Sequence, residues 1–214
     1  MPGLNGKDHA LAPPALTRAL DRLAAIDADI ARARAAHGDP PPRAGVAGFP
    51  ALLRILIGQQ LSTKAAQTIA DRLTTLLGGE ATPAALLACS DDELRTIGLS
   101  RQKIAYGRAL AEAAAAGRFD PHALDDLDDH AATAAITAHK GFGVWSAQMY
   151  LMFSLGRADI WPIGDLGVRE GLRRIKGLDA RPDERAAAAI GEAWSPHRSA
   201  AAMMCWHVLH NLPA

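Results

Sequence analysis

Aromatic side chains, cysteines and net charge are all scarce in this chain of 214 residues, and each scarcity removes a class of protein. Phe, Trp and Tyr make up 5% of the sequence, strand-forming runs are few, and alanine is abundant. That composition favours an all-α fold, because alanine has the highest helix propensity. Only two cysteines occur, Cys89 and Cys205, and they form no Cys-x-x-Cys pair. A zinc ribbon or iron–sulfur cluster is therefore excluded on ligand count. Both cysteines sit in apolar helical contexts, so buried free thiols in a reducing compartment are expected. Lys+Arg and Asp+Glu number 23 each, giving a formal net charge of +0. With no global basic field, a histone-like or polybasic binder is excluded, and nucleic-acid contact has to come from a local patch. No apolar run approaches the ~20 residues of a membrane span, and no charged-then-apolar leader opens the chain. A soluble, cytoplasmic protein is the expectation. At 49% hydrophobic, the sequence suffices for one compact unit or two small lobes.

The pattern along the chain is helix after helix with short breaks. Residues 1–7 read as a frayed start. Leu16, Leu20, Leu23, Ile26 and Ile30 predict one amphipathic helix over 15–36, before a rigid proline break at 37–42. An apolar helix over 51–58 is interrupted by Gln59-Gln60-Leu61-Ser62. Ser62 then serves as N-cap for a helix over 63–77. Thr82-Pro83 opens a helix to 88, and Ser90-Asp91-Asp92-Glu93 fits a capping box. Further helices are expected over 100–117, 128–139, 145–155, 165–175, 182–193 and 200–211. Short connections of this kind suggest two helical lobes with a groove between them.

Lys140-Gly141-Phe142-Gly143-Val144-Trp145-Ser146-Ala147 joins two of those helices by a glycine-bracketed turn. Gly141 and Gly143 permit positive φ and close approach of another backbone. The helix that follows starts with unpaired N–H groups and a positive dipole end, both suited to a phosphate oxygen. Such a contact positions a duplex without reading its sequence. The alternative is an αα-corner of the kind found in many helical proteins.

Asp165, in Trp161-Pro162-Ile163-Gly164-Asp165, fits the N-cap of the next helix. A cap also holds an ionised carboxylate in a fixed place, which is compatible with catalysis. Trp145 and Trp206 are large flat surfaces in an aromatic-poor chain. Each suits a core, or the stacking of an extruded and positively charged base. Met149 and Tyr150 lie about one turn beyond Trp145, so at least one of them could face the same pocket. Trp161 and Trp194 fall in loops and are less specific. Gln59-Gln60-Leu61-Ser62 is either a polar turn or a protruding segment that fills the hole left by an extruded base. Lys64, Arg101, Lys103, Lys140, Arg169, Arg173 and Lys176 are candidates for a DNA-facing patch, with plain solvation as the alternative.

Five blocks then occur in order: Gly58-Gln59-Gln60-Leu61-Ser62-x-Lys64-Ala65-Ala66, Gly98-Leu99-Ser100-x-x-Lys103, the 140–147 hairpin, Asp159-Ile160-Trp161-Pro162-x-Gly164-Asp165-Leu166-Gly167, and Trp194-x-Pro196-x-Arg198-Ser199. Together they resemble the helix-hairpin-helix DNA glycosylases, specifically the short form of the alkylpurine (3-methyladenine, type II) branch. The likeness covers about 49–210. It implies an all-α fold of two lobes with a DNA-facing cleft: one lobe holding both termini, about 1–48 and 165–214, and a central lobe, about 49–164, containing the hairpin over 128–155.

By position, the resemblance makes Asp165 the catalytic aspartate and places Trp145 and Trp206 at the base pocket, where Met149 is expected from its spacing to Trp145. Gln59, Gln60, Leu61, Ser62, Lys64, Lys140, Gly141, Phe142 and Gly143 become DNA-binding residues, with Gln60 or Leu61 as the wedge. A monovalent cation, Na+ or K+, is implied at the backbone of Thr137, His139 and Phe142, and no cofactor is required for chemistry. Bifunctional relatives carry a hairpin lysine that attacks the sugar; Trp145 occupies the matching position here, so no lyase step is expected. The extra N-terminal β-rich domain of longer relatives is not expected in the roughly 48 residues before the first block. The implied activity is hydrolysis of the N-glycosidic bond of alkylated purines in damaged double-stranded DNA, by a cytoplasmic, nucleoid-associated monomer. A non-catalytic helix-hairpin-helix module that binds DNA structure is the alternative.

Overall fold

In the computed structural model, residues 9–43 and 45–211 are described, and they contain helices and no strand. The 1–7 segment expected to fray lies outside them. The chain divides into two compact units, Met1–Ala44 with Leu155–Ala214 and Gly45–Ser154. The first unit holds α1 (Ala15–Ile26) and α2 (Ala28–His37). The second holds α3 (Phe49–Gly58), α4 (Thr63–Leu76), α5 (Pro83–Ala88), α6 (Asp91–Thr96), α7 (Arg101–Ala115), α8 (Asp129–Thr137) and α9 (Val144–Phe153). The chain then returns to the first unit for α10 (Leu166–Lys176), α11 (Glu184–Glu192) and α12 (Arg198–His210). The second unit also has a 3₁₀ turn at Ala123–Asp126 that the periodicity did not predict.

The single helix expected over 15–36 is broken at Asp27. Its carboxylate accepts from Asp29 N–H (3.0 Å) and Ile30 N–H (3.3 Å), which caps α2. The same carboxylate accepts from Trp194 Nε1 (2.8 Å) and from the Lys176 ammonium (2.6 Å). Burial alone would raise the Asp27 pKa, but these donors hold it below the usual carboxylate range. Four satisfied contacts at one extended residue outweigh the one turn of helix forgone. The pattern of leucines is blind to this, because both helices keep the same buried face through Leu16, Leu20, Leu23 and Ile30.

Residues 155–164 belong with the termini rather than with the hairpin. Trp161 and Trp194, expected as loop residues, are both buried and pack edge to face with ring centroids 5.4 Å apart. Trp161 Nε1 donates to Ala187 O (2.8 Å), and Ile160 N donates to the Ser199 hydroxyl (3.0 Å). Arg198 grips Asp159 with Nε to Oδ1 at 2.7 Å and Nη2 to Oδ2 at 2.8 Å. The Asp159 and Trp194–Ser199 sequence blocks are thus the clamp that fixes the segment leading to Asp165.

Helices α10 and α12 touch backbone to backbone at Gly171. A methyl group there would collide with the Cys205 carbonyl. Gly171→Ala is therefore expected to destabilise the fold by about 2 kcal/mol. Urea unfolding measures it, and an unchanged midpoint would contradict this packing. In the second unit, α3 is almost wholly apolar and buried through Leu52, Leu53, Leu56 and Ile57. Tyr150 of α9 is fully buried; its hydroxyl accepts from Gly48 N–H (2.8 Å) and donates to Pro121 O (3.2 Å). Its burial is the main reason its pKa is pushed up to about 12. Tyr150 is thus a strut for the start of α3, not a pocket wall.

Candidate active site and nucleic-acid interface

In the first unit the sequence folds Asp165 onto the start of α10 through a tight turn, with Ile163 N donating to Trp161 O and Asp165 N to Pro162 O, both at 2.9 Å. Asp165 Oδ1 accepts from Val168 N–H (2.8 Å), which makes the residue the N-cap of α10. The same oxygen accepts from Trp206 Nε1 (3.0 Å), so the carboxylate is oriented by two N–H donors from different helices. Gly167 makes this approach possible. A Cβ there would lie 3.1 Å from Asp165 Oδ1 and 3.1 Å from Trp206 Cδ1, tighter than side-chain packing normally allows. Cys205 is fully buried, and its thiol pKa is driven up by burial and, secondarily, by the Asp165 charge. It is an inert packing residue and not a nucleophile. Cys89, expected to be buried as well, is only half-buried, because it ends the short α5.

In the second unit the hairpin between α8 and α9 forms where glycine is placed. Gly141 has φ +90°, and a methyl group on it would run into the Tyr106 ring. Gly143 differs from expectation: its φ of −96° is one any residue adopts. What its lack of a side chain gives is room, since a Cβ there would meet nothing within 4 Å. It is the N-cap of α9 and no side chain caps that helix; Gly143, Val144 and Trp145 are exposed. Uncapped N–H groups beside open space suit an anion. Phe142 and Met149 are buried, at 5% and 6% exposure, so Phe142 contributes backbone rather than side chain.

Gln59 is bound inward. Its amide Nε2 donates to Gly141 O (2.7 Å) and to the Ser146 hydroxyl (3.0 Å), tying the end of α3 to the hairpin. Gln60 and Leu61 are exposed, and Gln60 is the one non-glycine residue with positive φ (58°) among the described residues. Ser62, expected on the DNA, caps α4 by accepting from Ala65 N–H (3.3 Å). Lys103 Nζ donates to Ile57 O (2.7 Å) and Gln59 O (2.9 Å), and burial pushes its pKa below the usual lysine range.

The candidate basic patch separates into two groups. Lys176 is spent on Asp27 and Asp29, Arg173 on Glu170, Arg169 on the Pro182 carbonyl and Lys103 on the carbonyls of Ile57 and Gln59, because each reaches a partner on its own unit. Lys64, Arg101 and Lys140 are exposed, form no ion pair among the described residues, and all belong to the hairpin unit. No cluster of His, Cys, Asp or Glu among the described residues could hold a metal ion. At the hairpin the His139 carbonyl accepts from Phe142 N–H (3.1 Å). The residues that sequence reasoning missed are Gly167, Gly171 and Tyr106; close packing between helices leaves no periodic trace.

An uncapped hairpin helix in one unit and a doubly held carboxylate at a helix start in the other define a helix-hairpin-helix protein. The chain belongs to the HhH-GPD superfamily of base excision DNA repair proteins, whose sequence model matches residues 53–196. It is 31% identical over 161 residues to DNA-3-methyladenine glycosylase 1 of Schizosaccharomyces pombe, covering 74% of this chain and 71% of that protein. The solved 3-methyladenine DNA glycosylase of the same yeast, in complex with abasic DNA, superposes with a TM-score of 0.84 at 28% identity, covering 91% of this chain and 98% of that one. A DNA-3-methyladenine glycosidase from Bacillus halodurans follows at TM-score 0.75 and 30% identity, covering 94% and 91%.

Proposed function

We propose that the chain is a base-excision repair glycosylase that hydrolyses the N-glycosidic bond of alkylated purines, of the 3-methyladenine and 7-methylguanine type, in duplex DNA. The observation that carries the reading is the Asp165 carboxylate, oriented by Val168 and Trp206 at the start of α10. It is supported by the relatives named for that activity.

The chemistry follows from the charge on the substrate. Alkylation at N3 or N7 leaves the purine cationic, so it departs as a neutral base without being protonated. The C1′–N9 bond breaks with its electron pair going to the base, and positive charge grows on the sugar. A fixed ionised carboxylate at Asp165 stabilises that charge. Water then bonds to C1′ and gives up a proton, leaving free base and an abasic site. Trp206 contributes an indole face for an electron-poor base and an N–H that holds the carboxylate still. The exposed Trp145 contributes a second aromatic surface in the hairpin unit.

The DNA backbone is taken up by the N–H groups at Gly143 and Val144, with Lys64, Arg101 and Lys140 supplying charge. A monovalent cation on the carbonyls of Thr137, His139 and Phe142 would add positive charge to the same grip. Gln60, with Leu61, is the wedge that replaces the extruded nucleotide in the stack. Trp145 stands where a lyase would need an amine, so the proposed enzyme is monofunctional, and the proposed working form is a monomer on double-stranded DNA.

The test is a duplex with one 7-methylguanine, incubated with enzyme in excess. Free base should appear, and the strand should break only after alkali. Borohydride should trap no covalent adduct. Strand cleavage without alkali, or a trapped adduct, would contradict the monofunctional reading; intact base in a tightly bound duplex would favour a non-catalytic recognition module.

A further inference from the structure

We propose that Lys103 is a positioning residue: by bridging the carbonyls of Ile57 and Gln59, it holds Gln60 in the left-handed backbone conformation that presents it to DNA. The inference rests on reading Gln60 as the wedge.

Helix α3 ends at Gly58, and its last carbonyls need donors. A glycine in the left-handed conformation commonly provides the turn that satisfies them. Here that conformation falls to Gln60, at φ 58°, a region that residues with a side chain rarely adopt. Leu61 N–H closes the turn locally by donating to Gly58 O (3.2 Å), and the peptide plane inside the turn is held by a further tie. The Gln59 carbonyl belongs to the peptide plane that contains the Gln60 nitrogen, and Lys103 Nζ binds it at 2.9 Å while binding Ile57 O at 2.7 Å. On the other side, the Gln59 amide is tied to Gly141 O and the Ser146 hydroxyl. The plane preceding Gln60 is therefore fixed from two directions, one through α7 and one through the hairpin.

Two further features complete the arrangement. Among the described residues Lys103 forms no ion pair; its half-buried ammonium meets the carbonyl dipoles of Ile57 and Gln59, at the end of α3 where the helix dipole favours a cation. Next to the turn, a cleft of about 280 Å³, walled by Ser100, Gln102 and Tyr106, gives the turn room to relax once the tie is cut. Gln102 Nε2 holds the Tyr106 hydroxyl at 2.8 Å, and the Tyr106 ring lies against Gly141. Wedge turn and hairpin are thus one rigid surface with Lys103 behind it.

The experiment is a double-substitution cycle with Lys103→Met and Gln60→Ala. The readout is the affinity for a duplex containing a tetrahydrofuran abasic analogue, relative to the same duplex intact. Gln60→Ala should lower that preference about tenfold, and Lys103→Met should lower it comparably while leaving affinity for intact duplex unchanged. The double variant should be no worse than Gln60→Ala alone, and Lys103→Arg should restore the preference. Losses that multiply in the double variant, or a Lys103→Met protein with full preference, would overturn the inference. A Gln60→Ala protein with unchanged preference would instead remove the wedge reading, and the inference with it. Should Lys103→Met fail to fold, Lys103→Gln, which keeps an amide donor of shorter reach, takes its place in the same cycle.

Discussion

Asp165→Asn should slow single-turnover release of an alkylated base by on the order of a hundredfold to a thousandfold, the scale of losing one pre-organised electrostatic contact to a transition state. The fold should survive. Asparagine is as good an N-cap as aspartate, and its carbonyl oxygen can still accept from Val168 N–H and Trp206 Nε1. What disappears is the negative charge alone. Affinity for an undamaged duplex should stay within about threefold of wild type, because a carboxylate gives nothing to phosphate binding. Single-turnover rates and fluorescence-anisotropy titrations separate the two effects. A variant with wild-type turnover would remove Asp165 from the chemistry, and one that lost affinity and rate together would point to a structural role.

Replacing Lys64, Arg101 and Lys140 together by alanine should weaken binding to any duplex by on the order of a hundredfold at low salt. It should also reduce the slope of log K against log salt by about 2 to 3, at roughly 0.9 per phosphate contact. Damaged and undamaged DNA should lose the same factor, since phosphate contacts carry no base information. The expectation follows from three exposed cations on the hairpin unit, unpaired among the described residues, in a protein whose net charge is +0. Lys176, by contrast, should leave the salt slope unchanged when replaced, because its charge is already committed to Asp27 and Asp29. A triple variant with an unaltered slope would place the DNA elsewhere.

Much of the fold was legible because helix ends announce themselves chemically. Ser62, Thr82, Ser90 with Glu93, and Asp165 cap the helices that their positions predict. The break at Asp27 was not legible, since the partners that stabilise it, Lys176 and Trp194, are about 150 residues away in sequence. Trp161 and Trp194 do lie in loops, as expected, but their burial was not legible, because irregular backbone can still carry the core of a unit. At the site, Asp165 and Trp206 were legible as residue types, but not the hydrogen bond between them, which depends on the small Gly167 lying beneath both. Gln59 stood among the DNA-binding residues only through the resemblance, and as a residue type it suited a polar turn equally well. Its actual partners, Gly141 and Ser146, are invisible until the hairpin is folded back on α3.

The central claim is that an ionised carboxylate at Asp165 stabilises positive charge on the sugar. The most direct measurement compares duplexes carrying a neutral tetrahydrofuran abasic analogue and a cationic pyrrolidine analogue, against wild type and Asp165→Asn. A site complementary to the charged transition state should bind the cationic analogue at least about tenfold more tightly than the neutral one. That preference should vanish in Asp165→Asn. An equal preference in both proteins would assign the discrimination to the rest of the site and contradict the account.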